Sequence, residues 1–239
     1  MLNLIYSEWT KLRTTASLWW TSGLLIVLPA ALVSLIAATA PIHAPLTVVM
    51  VAATIIFVIL TVQAAMTVTT EYRFGIPATT YRLTPVRWQV AAAKLLLYAV
   101  LAALLTLICL AISFVLGDAL ADVPAGWSTN AVATRALWAL PLAAAILVLF
   151  MQGLGWLVRN TAGTITLAFG MQFVVESIIG LIPRYGQDIA QYMPFSNLYA
   201  FAFDLPTGTF TTWQSLAVFA TWAAVLWVAG VVLLEKRDV

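Results

Sequence analysis

The sequence has little charge, a single cysteine and a single histidine. Charged residues make up 8% of the 239 residues, whereas about 25% is usual for a soluble domain. Hydrophobic residues make up 63% of the chain, which leaves too little polar surface to cover a water-exposed globule. The composition therefore excludes an ordinary soluble domain and indicates an integral membrane protein.

The usual motifs of enzyme active sites are also missing. The sequence contains no phosphate-binding G-x-x-x-x-G-K-[ST], no H-E-x-x-H, no G-x-S-x-G and no pair of cysteines. Because Cys109 is the only cysteine and His43 the only histidine, neither an intrachain disulfide nor a His-based metal site can form. We therefore predict no catalytic site, metal site or cofactor in this chain, and no nucleic-acid partner.

Six apolar runs are each long enough to cross a hydrocarbon core of ~30 Å at ~1.5 Å per residue. They lie at about 18–39, 47–70, 95–117, 136–158, 161–182 and 214–234. The first run is too long for the apolar core of a signal peptide, roughly 7–15 residues, so we expect it to stay attached. The predicted fold is an all-α integral membrane protein, with one six-span domain over residues 18–239.

Residues 1–17 have the pattern of an amphipathic helix. At helical spacing, one face carries Leu2, Ile5, Trp9, Leu12 and Ala16, and the other face carries Asn3, Glu8, Lys11 and Arg13. Such a helix lies in the membrane interface, with Trp9 at the level of the lipid headgroups.

The positions of Lys and Arg predict the orientation. Nine of the eleven basic residues fall on the side of the two termini: Lys11, Arg13, Arg73, Arg82, Arg87, Lys94, Arg159, Lys236 and Arg237. Only Arg135 and Arg184 fall on the other side. Because cytoplasmic loops carry the excess of basic residues, we expect both termini on the cytoplasmic side of a bacterial cytoplasmic membrane.

Residues 71–94 form the only long polar segment on that side. Gly75 and Pro77 are predicted to break any continuous helix, and Thr84-Pro85 to restart one that continues into the third span. Glu71 and Arg73 are expected to make charge-assisted contacts at the inner end of the second span; a simple helix-end ion pair is the alternative. Either a soluble partner or the lipid headgroups would contact three further residues of this segment: Arg82, Arg87 and Trp88.

Glu176 is a carboxylate inside the fifth span, where a charge costs roughly 2.5 kcal/mol or more near the centre of the bilayer. Gln172 lies one turn earlier and would share its face. Both are candidates to face a translocation pathway. For Glu176, the functional interpretations are a polar group facing that pathway or a subunit interface, or a proton site. The alternatives for Glu176 are a hydrogen-bonded packing contact and extension towards the outer surface.

Two further stretches carry structural predictions. Gly153 and Gly155, near the end of the fourth span, would let a neighbouring backbone come close, and Arg159-Asn160 would form a very short polar turn. Residues 183–213 are rich in aromatic residues and divided by prolines, which predicts short helices that dip into the outer interface.

Four stretches stand out by their order along the chain. They are SEWTKLRTTASLWW before the first span, EYRFGIPATTYRLTPVRWQVAAAK after the second, RNTAGTI before the fifth and EKRDV after the sixth. Together with the six-span topology they resemble the permease subunit of type-2 ABC exporters, particularly the short six-span permeases common in actinobacteria. Ile76-Pro77 departs from that family's loop, in which a Thr-rich segment directly follows the glycine.

The resemblance implies that two permeases, identical or paralogous, pair around a pathway while two separate subunits bind ATP and Mg. It implies that residues 1–17 form an elbow helix, including Trp9, Lys11 and Arg13, and that residues 183–213 form re-entrant helices. It assigns coupling to the ATPase to Glu71, Arg73, Gly75, Arg82, Arg87 and Trp88. The cargo would be amphipathic or lipid-like, since few buried charges are available to bind a polar molecule.

Two other functions are open at this point. One is a proton-coupled secondary transporter that uses Glu176, and the other is a non-transporting membrane scaffold or immunity protein. A co-purifying ATPase would favour the exporter. Many secondary transporters contain an internal repeat, and residues 1–117 and 118–239 show no convincing similarity.

Overall fold

The computed structural model describes residues 2–39, 44–83, 86–124, 126–206 and 208–237. Within these ranges the chain is helical and contains no β-strand. The helices are α1 (Leu2–Thr14), α2 (Ala16–Thr39), α3 (Pro45–Arg73), α4 (Ile76–Leu83), α5 (Arg87–Leu120), α6 (Ala131–Val158), α7 (Thr161–Phe169), α8 (Glu176–Gly180), α9 (Gly186–Ala190), α10 (Pro194–Phe203) and α11 (Thr212–Lys236). A π-helix over Gly170–Val175 joins α7 to α8.

Six helical stretches of the described chain are long and apolar enough to cross a membrane. They are α2, α3, α5, α6, the continuous stretch Thr161–Gly180 and α11. The predicted number of spans is therefore confirmed over these residues, and it supports a multi-pass membrane protein. The third span begins at Arg87, earlier than the predicted 95, because its helix extends beyond the apolar run. Thr84 and Pro85, predicted to start it, and His43 lie outside the described residues.

The first two helices follow each other with a single residue between them. Thr15 donates its backbone N–H to Leu12 O at 3.1 Å, and its own carbonyl accepts from Leu18 N–H at 3.1 Å. The helix at the N-terminus thus ends at Thr14, and the first apolar helix begins at Ala16. This joint turns the chain from α1 into α2 without a loop.

A turn at Phe74 and Gly75 separates α3 from α4. Gly75 has a φ of +65°, a left-handed conformation that glycine adopts without the strain of a Cβ atom, so the predicted break at this residue is confirmed. The predicted break at Pro77 is wrong. Pro77 lies in the first turn of α4, where a backbone N–H would have no acceptor within the helix.

The helix α6 lies at the centre of the bundle, against α3, α5 and α11. A Cβ atom added at Gly153 would lie 2.5 Å from the backbone nitrogen of Trp227 in α11, and one added at Gly230 would lie 2.8 Å from Gly153 O. The two backbones therefore touch, as predicted for Gly153. Gly155 instead faces the side chain of Val68, with its Cβ position 3.2 Å away.

The fifth span follows the predicted polar turn. Arg159 adopts a left-handed conformation with φ 55° and ends α6, and Asn160 Oδ1 accepts from Gly163 N–H at 2.8 Å to begin α7. The π-helix interrupts this span, which is the least buried of the six. Its apolar faces are therefore the ones most open to lipid or to another chain.

The aromatic segment after the fifth span folds mainly into α9 and α10. Pro194 begins α10, and Phe195, Leu198 and Phe201 of that helix are buried against the bundle. Phe195 and Phe150 of α6 stack edge to face with ring centroids 5.4 Å apart. The predicted short helices are present, and α10 is part of the core.

Candidate functional site

Four charged side chains from three helices meet at one end of the bundle. Lys94 Nζ of α5 donates to Glu8 Oε2 of α1 at 2.6 Å and to Glu71 Oε1 of α3 at 2.9 Å. Lys11 Nζ of α1 donates to the same Glu71 oxygen at 3.2 Å and to Glu8 Oε1 at 2.7 Å. These four residues, called the charge cluster below, tie α1 to α3 and α5.

The charge cluster is buried and electrically balanced, with two carboxylates and two ammonium groups. Glu8, Glu71 and Lys94 are only 3%, 7% and 4% exposed, and Lys11 reaches the surface. Removing a charge from water costs several kcal/mol unless a partner compensates for it. Burial alone would raise the pKa of Glu8, but Lys94 and Lys11 outweigh burial and hold that pKa below its ordinary value of 4.5.

The cluster corrects the orientation predicted for the N-terminal helix. The sequence pattern predicts Glu8 on the same face as Asn3 and Arg13, away from the apolar residues, yet Glu8 is buried while Asn3 and Arg13 are exposed. Leu2 of the predicted apolar face is exposed, and Trp9 is partly exposed. The buried pairing with Lys94 fixes the rotation of α1, because an unpaired Glu8 could not be buried at this position.

Glu71 and Arg73 have different environments. Glu71 makes the predicted charge-assisted contacts, and its partners are Lys11 and Lys94 rather than Arg73. The Arg73 side chain is exposed, with its guanidinium carbon 5.7 Å from the centre of the Phe74 ring. The C-terminal end of α3 therefore holds one buried charged side chain, Glu71, and one exposed charged side chain, Arg73.

The start of α5 and the end of α11 cap each other. Arg87 Nη1 donates to Leu234 O at 2.8 Å and to Arg237 O at 2.7 Å, and Glu235 Oε1 accepts from Trp88 N–H at 2.9 Å. A cation at a helix C-terminus and an anion at a helix N-terminus both oppose the helix dipole. The guanidinium of Arg87 thus has partners within the chain, at the end of α11, and its contact with a soluble partner or lipid headgroups stays a prediction.

Six residues between the end of α3 and the start of α5 are exposed: Arg73, Phe74, Gly75, Ile76, Arg82 and Trp88. We call them the basic-aromatic surface. They combine two guanidinium groups with exposed apolar side chains, and the guanidinium carbon of Arg73 lies 5.7 Å from the centre of the Phe74 ring. Such a composition suits contact with a protein or a headgroup layer.

A cavity of about 590 Å³ opens beside the charge cluster. Its walls are the joint between α1 and α2, the second half of α3 and the side chain of Lys94. Lys11 and Arg73 supply positive charge to its wall, and several threonines and Gln63 supply polar groups. The volume is in the range of small-molecule sites in proteins.

The elbow residues of the prediction are only partly brought together. Lys11 joins the charge cluster, whereas Arg13 is exposed and its backbone carbonyl accepts from Trp19 Nε1 at 2.8 Å. Trp9 is 36% exposed and takes no part in the charge cluster. Trp19 and Trp20 are both exposed just after the joint.

A second cavity, of about 440 Å³, lies on the opposite half of the bundle between α10 and the fifth span. Gln172 and Glu176 both line it, as predicted from their shared face. Glu176 is 9% exposed, and its carboxylate accepts from Phe195 N–H at 2.7 Å and from the N–H and hydroxyl of Ser196. Glu176 therefore makes a hydrogen-bonded packing contact, which was one of the alternatives for this residue, and its carboxylate caps α10.

Sequence reasoning missed the meeting of Glu8 with Lys94. The sequence pattern groups Lys94 with the basic residues on the side of the two termini and Glu8 with the polar face of residues 1–17, and it pairs neither with the other. A signal was present, because Lys94 adjoins a long apolar run and a lysine there needs a carboxylate partner. Among the described residues, no group of three His, Cys, Asp or Glu could hold a metal ion.

A family described as "Protein of unknown function (DUF2705)" matches residues 40–239. The match covers more than half of the chain, so the chain belongs to this family. It includes the 71–94 segment and the second to sixth spans, and it begins after α1, which carries Glu8 and Lys11, and α2. A comparison with curated proteins found no match.

Proposed function

We propose that this chain is the transmembrane permease subunit of an ATP-driven ABC exporter. In this proposal it forms a translocation pathway with a second permease, identical or paralogous, in a bacterial cytoplasmic membrane. Two separate ATP-binding subunits supply the energy and hold ATP and Mg. The cargo is amphipathic or lipid-like.

One observation carries this proposal: the same end of α3 holds a member of the buried charge cluster and an exposed arginine of the basic-aromatic surface. Glu71 in the cluster and Arg73 on the surface are two residues apart on α3. A partner that moves Arg73 would therefore move α3, and through Glu71 also α1 and α5. Buried ion pairs are costly to separate, so the three helices would respond together.

The N-terminal helix has the features expected of an elbow helix in such a permease. Its charged side is anchored by Glu8 and Lys11, while Leu2, Tyr6 and Trp9 are exposed. In the proposal these side chains lie in the membrane interface, and α1 moves with the ends of α3 and α5. The end of the bundle that carries the charge cluster is the cytoplasmic end, as the excess of basic residues suggests.

The second permease would pack against the least buried span, Thr161–Gly180. Gln172 would line the pathway, with its side-chain nitrogen donating to Tyr199 Oη at 2.8 Å. Glu176 would hold α10 in place, and α9 and α10 would form the re-entrant segment at the outer face. Three hydrogen bonds to the Glu176 carboxylate favour this anchoring role over that of a proton carrier.

The test is purification from native membranes followed by reconstitution with the co-purifying soluble chain. We expect an ATPase to co-purify, and its turnover to be stimulated by the wild-type permease. Arg73→Glu should abolish that stimulation while leaving the complex assembled, because the charge reversal acts at the surface and spares the buried cluster. The matched control is Arg184→Glu, an exposed arginine outside the basic-aromatic surface.

Three results would contradict the proposal or part of it. Full ATPase stimulation by Arg73→Glu would remove the coupling role of this surface. Movement of solute into liposomes by the isolated chain, driven by a proton gradient, would indicate a secondary transporter. A chain that binds no ATPase and moves no solute would indicate a scaffold or immunity protein.

A further inference from the structure

The cavity between α10 and the fifth span has a single charged group in its wall. Glu176 is the only ionic side chain among the described residues that line it, and none of them is a lysine, arginine or histidine. The other two buried carboxylates of the described chain, Glu8 and Glu71, each contact a lysine. Glu176 makes no ion pair in this part of the chain. A charge inside a membrane span is costly and calls for a partner.

The hydrogen bonds of Glu176 satisfy its carboxylate but leave its charge unbalanced. The carboxylate accepts from Phe195 N–H at 2.7 Å, from Ser196 N–H at 2.6 Å and from the Ser196 hydroxyl, and it donates none. An ionised carboxylate is an acceptor only, so these partners fit the charged form. In a medium of low dielectric constant the field of such a charge extends across a cavity. The wall therefore attracts a cation, including one that donates no hydrogen bond.

Aromatic rings supply a second feature of the same wall. The side chain of Phe173 is 54% exposed, and Tyr199 and Phe203 are partly exposed, so ring surface is open to a ligand. The Tyr199 ring lies 5.4 Å from the Phe203 ring, centroid to centroid, and its hydroxyl accepts from Gln172 Nε2 at 2.8 Å. The faces of aromatic rings attract cations, and quaternary ammonium groups are recognised in this way.

The π-helix of the fifth span lies against this cavity. Gln172 and Phe173 belong to the π-helix Gly170–Val175 and line the cavity, and Glu176 follows directly at the start of α8. π-helical turns are rare, and many of them lie at functional sites. The irregular turn therefore coincides with the unbalanced carboxylate and the exposed ring.

We infer that this cavity binds an amphipathic organic cation, a molecule with one quaternary or protonated centre and an aromatic body. The positive centre lies on the side of the Glu176 carboxylate, and the apolar body packs against Phe173, Tyr199 and Phe203. The volume of about 440 Å³ suits one such molecule. The inference deepens the proposed function by naming the class of cargo, and it rests on that function only in making the bound cation the cargo.

The experiment is equilibrium dialysis of the purified chain in a non-ionic detergent against radiolabelled tetraphenylphosphonium. A parallel measurement uses tetraphenylborate, an ion of nearly the same shape and of opposite charge. We expect saturable binding of one tetraphenylphosphonium ion per chain and no saturable binding of tetraphenylborate. Saturable binding of both ions with equal affinity would overturn the inference, because the cavity would then be an apolar groove without charge selectivity.

Ser177→Lys tests the charge without removing the cap of α10. Ser177 is exposed and lines the cavity, so a lysine there adds a positive charge to the wall and leaves the Glu176 hydrogen bonds in place. We expect the affinity for tetraphenylphosphonium to fall roughly tenfold or more, the equivalent of 1.4 kcal/mol or more. Ser177→Gln is the matched neutral control and should bind as the wild type does. Equal affinities of the two variants would overturn the inference.

Two further variants separate the rings from the carboxylate. Phe173→Leu keeps an apolar side chain without a ring face and should weaken binding several-fold, whereas Phe74→Leu, exposed at the other end of the bundle, should not. Glu176→Gln should weaken binding, with Asp188→Asn as its exposed control; thermal unfolding is measured for each, and Ser177→Lys decides the result if Glu176→Gln fails to fold. No ATPase takes part, so failure here is distinct from failure of the proposed function.

Discussion

Lys94 adjoins a long apolar run, yet its ammonium group is buried between Glu8 and Glu71. The pairing explains why this charge is tolerated, since each ion would otherwise carry the full cost of leaving water. It also explains why parts of three helices that are far apart in sequence lie together. At the scale of single residues, the positions of the helices thus depend on which buried charges have a counter-ion.

Replacing Glu8 by Gln should test the cluster directly. The change leaves a buried positive charge without its full complement, so we expect the free energy of unfolding to fall by about 3 kcal/mol. The measurement is thermal or chemical unfolding in detergent. Asp122→Asn, which alters an exposed carboxylate, is the control and should leave stability within ~0.5 kcal/mol of wild type.

Comparison of Glu8→Gln with the wild type also tests how the stability of the fold depends on pH. The pKa of Glu8 is lowered in the folded protein because Lys94 and Lys11 outweigh the effect of burial. Its contribution to stability is therefore present above the ordinary value of 4.5 and is lost as the pH falls through the lowered pKa. The wild type should lose stability below pH 4.5 more steeply than Glu8→Gln, and equal slopes would contradict this role.

Glu176 is also a buried carboxylate, and a conservative substitution can distinguish its capping role from a role as a proton site. Glu176→Gln replaces one acceptor oxygen by an NH₂ group that cannot accept from Ser196 or Phe195, so we expect a loss of about 1–3 kcal/mol. Hydrogen exchange at the start of α10 should rise with it. If stability is unchanged and only the pH dependence of transport shifts, Glu176 is a proton site and the capping role is wrong.

Helix ends and helix crossings decide the arrangement at the next scale. Arg87 and Glu235 fix the start of α5 against the end of α11, and Gly153 and Gly230 bring α6 and α11 into backbone contact. Small residues at such crossings allow dispersion contacts between backbones, which stabilise helix pairs where no hydrophobic effect acts. The crossing and the paired caps together hold α11 along its length.

Gly153→Ala should destabilise this crossing. The added Cβ would lie 2.5 Å from the backbone nitrogen of Trp227, and backbone cannot move aside as a flexible side chain can. We expect a loss of about 1–3 kcal/mol in unfolding free energy, the range for overpacked cores. Gly23→Ala in α2, where a Cβ meets nothing within 4 Å, is the matched control and should be neutral or slightly stabilising.

The whole molecule is a helical bundle whose two ends differ. One end carries the charge cluster, the paired caps and the basic-aromatic surface. The other half carries α10 and its Glu176 cap, and a second ion pair there joins Arg135 to Asp204 at 3.2 Å. An asymmetry of this kind defines an orientation in a membrane. From the excess of basic residues, we predict that the end with the charge cluster lies on the cytoplasmic side.

Labelling of single cysteines should establish this orientation. In a Cys109→Ser background, Arg82→Cys should react with a membrane-impermeant maleimide only after the membrane is opened, because Arg82 is exposed at the basic end. Thr129→Cys, exposed between α5 and α6, should react in intact cells. The reverse pattern would place residues 71–94 outside and would refute both the orientation and the proposed contact with an ATPase.

The sequence alone determined the class of the protein, the number of spans, the break at Gly75 and the turn at Arg159-Asn160. These features depend on local quantities: the length of apolar runs, the conformational freedom of glycine and the capping ability of asparagine. The close approach at Gly153 was predicted from a small residue in an apolar helix, but the same reasoning did not hold for Gly155, which faces the Val68 side chain.

The tertiary structure decided which polar groups meet. Glu8 is 86 residues from Lys94, and Arg87 is 147 residues from Leu234, and no local pattern encodes such pairs. Their partners follow from the rotation of each helix about its axis, which is fixed by packing across the whole bundle. Of the charged side chains in the sequence, only those with a counter-ion can then be buried, because an ion in a medium of low dielectric constant is stable only beside its counter-ion.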